Sequence, residues 1–263
     1  MKKYLVIGNP IEHSVSPKLH NHWFKENKIN AVYEKRKLNK RDIEKIINEV
    51  KNEKIDGINV TLPFKKSVIP FLDELSAEAT DCQSVNTIYK EKNKIIGHNT
   101  DTGGFELALK HINYEVKNKN VFILGAGGVV SSIILALKKM GASKITLCNR
   151  TKEKAENLKN LFFDLEIVDW GETPDFNMII NATSLGLKKE DDIKLNYADV
   201  GPNKLFYDVI YNPNQTNFLK NAKKFGNQIE NGKMMFIYQA HQAFTVWHKI
   251  MPKISDKIIK LLD

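Results

Sequence analysis

The chain reads as α/β in two parts, and three observations predict it. A strand at residues 119–124 runs into Gly125, Ala126, Gly127, Gly128 and then a helical run at 131–140; a second strand at 144–148 closes a βαβ unit; and the glycine turn begins only at residue 125, leaving room ahead of it for a separate domain. The predicted architecture is an N-terminal α/β substrate domain, a Rossmann-type doubly wound dinucleotide domain, and C-terminal helices returning to the first domain. The predicted boundaries are 1–101 with 234–263, and 102–233.

The elements follow in order. A strand at 4–7 ends in Gly8, Asn9, Pro10 and leads to Ser14, Val15, Ser16, Pro17. Ser16 before Pro17 suits the N-cap and first position of a helix through Leu19, Trp23 and Phe24. Two hydroxyls at a strand end also suit a carboxylate or ring hydroxyl of a substrate, and Ser14 has no capping duty. A buried strand at 55–60 delivers Asn59 and Thr61, and Pro63 stops it, so Lys65 falls at the edge of a cleft. Lys65 beside Lys66 equally fits a solvated helix start.

A hairpin at 86–96 opens with Asn86 and leads to Asp101, just before the helical rhythm of Phe105, Leu107, Ala108. An aspartate there is a natural N-cap. Its functional alternative is to pair with Lys65, holding the ammonium while burial eases loss of its proton.

In the second part, glycines let backbone N–H groups reach a pyrophosphate at the following helix N-terminus. Val130 stands where the fingerprint usually has Gly or Ala, so this helix is expected slightly farther from its strand. After the second strand come Asn149, Arg150, Thr151, Lys152 and Lys154, where an NAD site generally offers an acidic group. Positive charge suits a 2′-phosphate, with Arg150 forking onto its oxygens and Thr151 adding a hydroxyl or capping the next helix, so NADP is the expected cofactor. Strands at 178–181 and 205–209 end in Thr183, Ser184 and in Ile210, Tyr211, and ligands collect at such carboxyl ends. Tyr211 fits a packing role equally well. The helical stretch 234–250 carries Phe236, Tyr238, Phe244 and Trp247 as core residues, interrupted by Gln239 and Gln242.

Composition excludes several classes. The 40 Lys and Arg against 31 Asp and Glu give +9, but the lysines are interleaved with Glu and Asn along the chain, which favours small anionic ligands over nucleic acid. No apolar run reaches the roughly 20 residues of a membrane span, and no cleavable leader precedes the first strand, so a cytoplasmic protein is expected. Two cysteines, Cys82 and Cys148, make no disulfide framework, and His20 and His22 fall on different helix faces, so no metal is expected.

The ordered blocks GNPIEHSVSPKLHN, NVTLPFK, SVNTI, GHNTDTGGF, GAGG, NRT, NATSLG, DVIYNP and YQAHQAF resemble the shikimate dehydrogenase family from Gly8 to Trp247. The resemblance implies NADPH-dependent reduction of 3-dehydroshikimate to shikimate, on the route to aromatic amino acids. It implies that Lys65 and Asp101 are the catalytic pair and that Ser14, Ser16, Asn59, Thr61, Asn86, Tyr211 and Gln239 contact substrate. It implies Asn149, Arg150 and Thr151 as adenosine-phosphate contacts, joined at the cofactor by Gly125, Ala126, Gly127, Gly128, Val129, Lys154, Thr183, Ser184, Ile210 and Gly232. Beside Val130, the departures are Lys233 and Met234 after Gly232. The expected partner is a small-molecule substrate, with no nucleic acid or membrane, and a homodimer is allowed for. Two rivals share the motifs: a quinate or shikimate dehydrogenase preferring NAD, opposed by the 149–151 triplet, and a silent NADP-binding regulator, opposed by the intact Lys65 and Asp101.

Overall fold

The computed structural model describes residues 1–262. Contacts divide the chain into two compact units, Met1–Phe105 with Phe236–Asp263, and Glu106–Met235. The first unit contains β1 (Lys2–Gly8), α1 (Ser16–Glu26), β2 (Ala31–Lys37), α2 (Ile43–Lys51), β3 (Gly57–Val60), β4 (Glu74–Leu75), α3 (Ala77–Cys82), β5 (Thr87–Glu91), β6 (Lys94–His98) and the start of α4 (Asp101–His111). The second contains β7 (Asn120–Leu124), α5 (Val130–Lys139), β8 (Lys144–Cys148), α6 (Lys152–Leu161), β9 (Glu166–Ile167), β10 (Met178–Asn181), α7 (Tyr197–Val200), β11 (Leu205–Asp208), α8 (Asn217–Lys224) and β12 (Gln228–Glu230). The chain re-enters the first unit along α9 (Lys233–His248) and closes with α10 (Asp256–Lys260).

The first sheet is mixed, in the order β2-β1-β3-β5-β6-β4. β1 runs parallel to β2 and β3, while β3, β5 and β6 pair antiparallel in turn. Side chains alternate across β1. Leu5 and Ile7 join a core with Ile58, Val60, Phe64 and the α2 stripe Ile43, Ile46, Ile47, Val50, whose spacing puts all four on one helical face. Tyr4 takes the other side, its ring centroid 5.4 Å from Phe24 on α1 and 4.8 Å from Trp247 on α9. That packing explains Gly57, which pairs with Tyr4 in register. A Cβ there would lie 2.7 Å from the Trp247 Nε1 atom.

β2 is an edge strand, and its exposed backbone is partly covered by a side chain. The Asn21 amide donates to the Tyr33 carbonyl oxygen and accepts from the Tyr33 N–H, each at 2.9 Å. One residue earlier, the fully buried His20 stacks on the Tyr33 ring at 4.3 Å and 2°. Among the described residues neither His20 ring nitrogen has a hydrogen-bond partner. Burial, with His248 adding repulsion, pushes its imidazole down to about 3.

The second sheet is wholly parallel, in the order β12-β11-β10-β7-β8-β9. Counted within the sheet, that order is 3-2-1-4-5-6 from the β9 end, and its switch point lies between β7 and β10, where such sheets bind dinucleotides. Ile179, Phe206, Phe122, Phe218 and Leu219 form its core. Cys82 and Cys148 are both buried and form no disulfide, and burial pushes the Cys148 thiol up to about 12. Among the described residues no helix is long and apolar enough to cross a membrane.

His20 makes the fold sensitive to acid. Its folded pKa lies below the unfolded value of 6.5, so its contribution is complete above pH 6.5 and is lost as pH falls toward the folded value of about 3. At pH 5 the loss is about 2 kcal/mol. The melting temperature is therefore expected to fall between pH 6.5 and pH 5, and His20→Leu to flatten that fall. An unchanged slope in the variant would remove His20 as its source.

Candidate active site

Lys65 and Asp101 meet. Their side chains are 11% and 7% exposed, with Nζ 2.6 Å from Oδ2. The backbone arranges this from two directions. At the end of β3 the Thr61 N–H donates to the Ile7 carbonyl, and a turn through the cis Leu62–Pro63 bond brings the Phe64 N–H back to Thr61 O at 3.0 Å. Phe64 anchors that turn in the core, and the Lys65 carbonyl accepts from the Val85 N–H at 2.9 Å. Asp101 opens α4, as the sequence places it, but the N-cap reading is corrected. The Asn99 Oδ1 atom accepts from the Thr102 N–H at 3.0 Å, so Asn99 serves the helix start and Asp101 is available to the lysine.

Asn86 organises the pair. Its Nδ2 donates to Asp101 Oδ1 at 3.0 Å and to Thr100 Oγ1 at 2.9 Å, while its Oδ1 accepts from the Thr100 N–H at 2.8 Å. Gln239 Oε1 lies 3.4 Å from the same Nδ2, and Gln239 Nε2 donates to Phe236 O. α9 approaches closely because Gly104 has no side chain: a Cβ would sit 2.9 Å from the Gln239 backbone nitrogen. Asn59, 7% exposed, is tied to this network through Thr87.

The serines are arranged differently from the sequence reading. α1 begins at Ser16 itself, with Val15 in the cap position and no side-chain cap. The hydroxyl with a backbone partner is Ser14, which accepts from the Ser16 N–H at 3.4 Å and donates to Ser16 Oγ at 3.2 Å. Pro17 at the helix start supplies the local stop that a cap would otherwise give. Thus Ser14, Ser16, Asn59, Thr61, Lys65, Asn86, Asp101 and Gln239 all belong to the first unit, and Tyr211 belongs to the second. Burial raises the Tyr211 phenol above its ordinary value.

In the second unit the glycine turn lies at the switch point. Gly125 has φ +107, donates its N–H to Cys148 O at 2.8 Å, and leaves no room for a Cβ, which would stand 2.8 Å from Ala182 O. Gly127 is exposed, and the nearest atom to a Cβ there would be 3.7 Å away. The turn thus presents bare backbone, and no side chain caps α5. That surface fits a pyrophosphate.

Asn149 accepts from the Ala126 N–H at 3.1 Å and donates to Thr151 O at 2.7 Å, joining the glycine turn to the loop after β8. Thr151 takes the cap position of α6 but makes no cap hydrogen bond. Lys152 pairs with Asp169 at 2.8 Å, whereas Arg150 and Lys154 are exposed and make no ion pair among the described residues. Two cationic side chains without carboxylate partners fit a 2′-phosphate.

Sequence reasoning missed the groups that hold the neighbouring loops. Asn181 Oδ1 accepts from both the N–H and hydroxyl of Thr183, and its Nδ2 donates to Asp208 Oδ1 at 3.1 Å. Asp208 also accepts from the Ile210 N–H at 3.0 Å and the Thr216 hydroxyl at 2.6 Å. Burial pushes its carboxyl up to about 6 against these three donors. Both residues end buried strands and open the blocks NATSLG and DVIYNP, so their place was legible in the sequence and only their role in holding the loops was not. Ser184 is exposed beside Thr183.

Comparison with known proteins adds to this geometry. Residues 6–88 match the family described as shikimate dehydrogenase substrate binding domain, and residues 106–184 match shikimate / quinate 5-dehydrogenase. The chain is 62% identical over 262 residues to the shikimate dehydrogenase (NADP(+)) of Pelagibacter ubique, covering 100% of this chain and 99% of the relative. The crystal structure of shikimate dehydrogenase from Aquifex aeolicus superposes with a TM-score of 0.90 at 37% identity, covering 100% and 97% of the two chains. That of shikimate 5-dehydrogenase from Thermus thermophilus in complex with NADP(H) and shikimate gives 0.89 at 29% identity, covering 100% and 98%.

Gly232 provides a local test in the second unit. A Cβ there would fall 2.0 Å from the Val209 carbonyl oxygen, a backbone atom that cannot step aside. Gly232→Ala is expected to lower the melting temperature by several degrees, equivalent to about 1–3 kcal/mol. An unshifted midpoint would show that the 209–211 loop has slack.

Proposed function

The chain belongs to the shikimate dehydrogenase family, and we infer from that premise that it interconverts 3-dehydroshikimate and shikimate with NADP as cofactor. The observation that carries the assignment of roles is the buried Lys65–Asp101 pair, held at 2.6 Å and fixed by Asn86. When bound, NADPH supplies a hydride to the ring carbonyl carbon. The remaining requirement is one proton on the carbonyl oxygen, and Lys65 Nζ is the group proposed to deliver it. In the oxidising direction the neutral amine takes that proton back. Asp101 holds the ammonium through Oδ2 while Asn86 occupies Oδ1, so the carboxylate does not turn away between cycles.

We assign the substrate contacts to Ser14, Ser16, Asn59, Thr61, Asn86 and Gln239 in the first unit and to Tyr211 in the second. The cofactor is assigned to the turn Gly125, Ala126, Gly127, Gly128 and Val129 for the pyrophosphate. Asn149, Arg150, Thr151 and Lys154 take the adenosine phosphate, and Thr183, Ser184, Ile210 and Gly232 take the nicotinamide side. The uncompensated charge of Arg150 and Lys154 supports NADP over NAD. Two buried thiols without a disulfide suit the reducing cytoplasm we propose as its location.

The experiment is the initial rate of cofactor reduction with shikimate or quinate, each offered with NADP and with NAD. Rapid reduction with shikimate and NADP alone is expected; preference for quinate with NAD would overturn the substrate and cofactor assignment. Lys65→Ala is expected to lower kcat by about 10² to 10⁴ with a smaller change in substrate affinity, and near-normal turnover would defeat the proton-donor role. For Arg150→Ala, calorimetry should show a much larger loss of affinity for NADP than for NAD, and equal losses would take Arg150 off the 2′-phosphate.

A further inference from the structure

Two residues given no role by the sequence, Tyr33 outside every block and Thr87 inside SVNTI, lie in the network around Asn59 and Asn86. Tyr33, on edge strand β2, is 2% exposed, and its hydroxyl donates to Asn59 Oδ1 at 2.6 Å. Its backbone is clamped by Asn21 and its ring stacked on His20. Burial raises the phenol well above its usual range, so it remains a donor, and Ser16 is the polar side chain that acts against that shift. Thr87, fully buried at the start of β5, accepts from Asn59 Nδ2 at 3.1 Å and donates to Asn86 Oδ1 at 3.1 Å.

These contacts settle which way round each amide lies. Asn59 Nδ2 also donates to the Asn86 carbonyl at 3.1 Å, so both its protons are taken, and Tyr33 fills one acceptor position of Oδ1. The capacity left on the Asn59 side chain is a second acceptor position, suited to a donor such as a ring hydroxyl. Reversing the amide would set Oδ1 against the Asn86 carbonyl oxygen, two acceptors face to face with no proton between them, leaving buried groups unmatched. The order of donation continues from Thr87 to Asn86 and from Asn86 Nδ2 to Asp101 Oδ1.

We propose that Tyr33 and Thr87 are positioning residues that fix the Asn59 amide as an acceptor for a substrate hydroxyl and connect it to the Asn86–Asp101–Lys65 group. Tyr33 acts on binding through Asn59, whereas Thr87 reaches both amides. The inference rests on the shikimate reading given above, which the turnover of the unsubstituted protein tests separately.

The experiment compares Tyr33→Phe, which keeps the ring on His20 and removes only the hydroxyl, with Asn59→Ala and the double variant. KM and kcat for shikimate, KM for NADP, and calorimetric affinity for shikimate without cofactor are the readouts. Tyr33→Phe is expected to weaken shikimate binding about tenfold, with kcat and the NADP KM within about twofold, the scale of one buried hydrogen bond. In the Asn59→Ala background the same substitution should add nothing further. Unchanged shikimate affinity, an effect additive with Asn59→Ala, or equal loss for shikimate and NADP would overturn the proposal. Thr87→Val with Thr87→Ser as the conservative partner gives an independent arm, in which only Val should impair shikimate binding; equal behaviour of the two would count against it. Absence of shikimate turnover in the unsubstituted protein would remove the reading and this inference together.

Discussion

A lysine and an aspartate taken out of water together need every remaining proton and lone pair matched. A buried ion pair gains little net stability from its own attraction, because desolvation of both charges offsets it, and removing one partner strands the other. Here the matching is done by Asn86, whose amide is itself fixed by Thr100 and Thr87. Thr100 at the start of α4, Thr87, Gln239 and, through Thr87, Asn59 are all tied to that one group. The first unit's site is thus better described as a hydrogen-bonded lattice around Asn86 than as a set of independent contact residues.

The second unit solves the reverse problem. A pyrophosphate brings its own charge and needs backbone N–H groups, so the useful feature is space, and glycine supplies it. Gly125 meets Ala182 too closely to tolerate a Cβ, while Gly127 opens to solvent. The loops beyond are held from beneath by Asn181 and Asp208, two buried polar residues at strand ends. In the proposed reading, selectivity falls to Arg150 and Lys154, exposed cations with no ion pair among the described residues.

Much of this was legible in the sequence because it depends on local order. Strand, glycine turn and helix arrive in sequence around Gly125, and the parallel sheet with its switch point follows from that pattern. The α/β class and the family were likewise readable from ordered blocks. Less legible were features set by partners distant in the chain. Ser16 reads as an N-cap beside Pro17, yet the hydroxyl that takes a backbone N–H is Ser14, a matter of one residue of helix phase. Asp101 also reads as a cap, and only the presence of Asn99 two residues earlier, facing Thr102, relieves it of that duty. Tyr33 and Thr87 look like ordinary strand residues; their part emerges once β2, β1, β3 and β5 lie in that order in one sheet.

The central claim is that the Lys65–Asp101 pair, with the Asn86 lattice behind it, is where the substrate reacts. A crystal structure of the protein with shikimate and NADP bound tests it most directly. The account expects the oxidisable hydroxyl of shikimate within hydrogen-bond distance of Lys65 Nζ, with Asn86 still donating to Asp101. Shikimate bound away from Lys65, or an Asn86 amide turned from Asp101 in the complex, would contradict it.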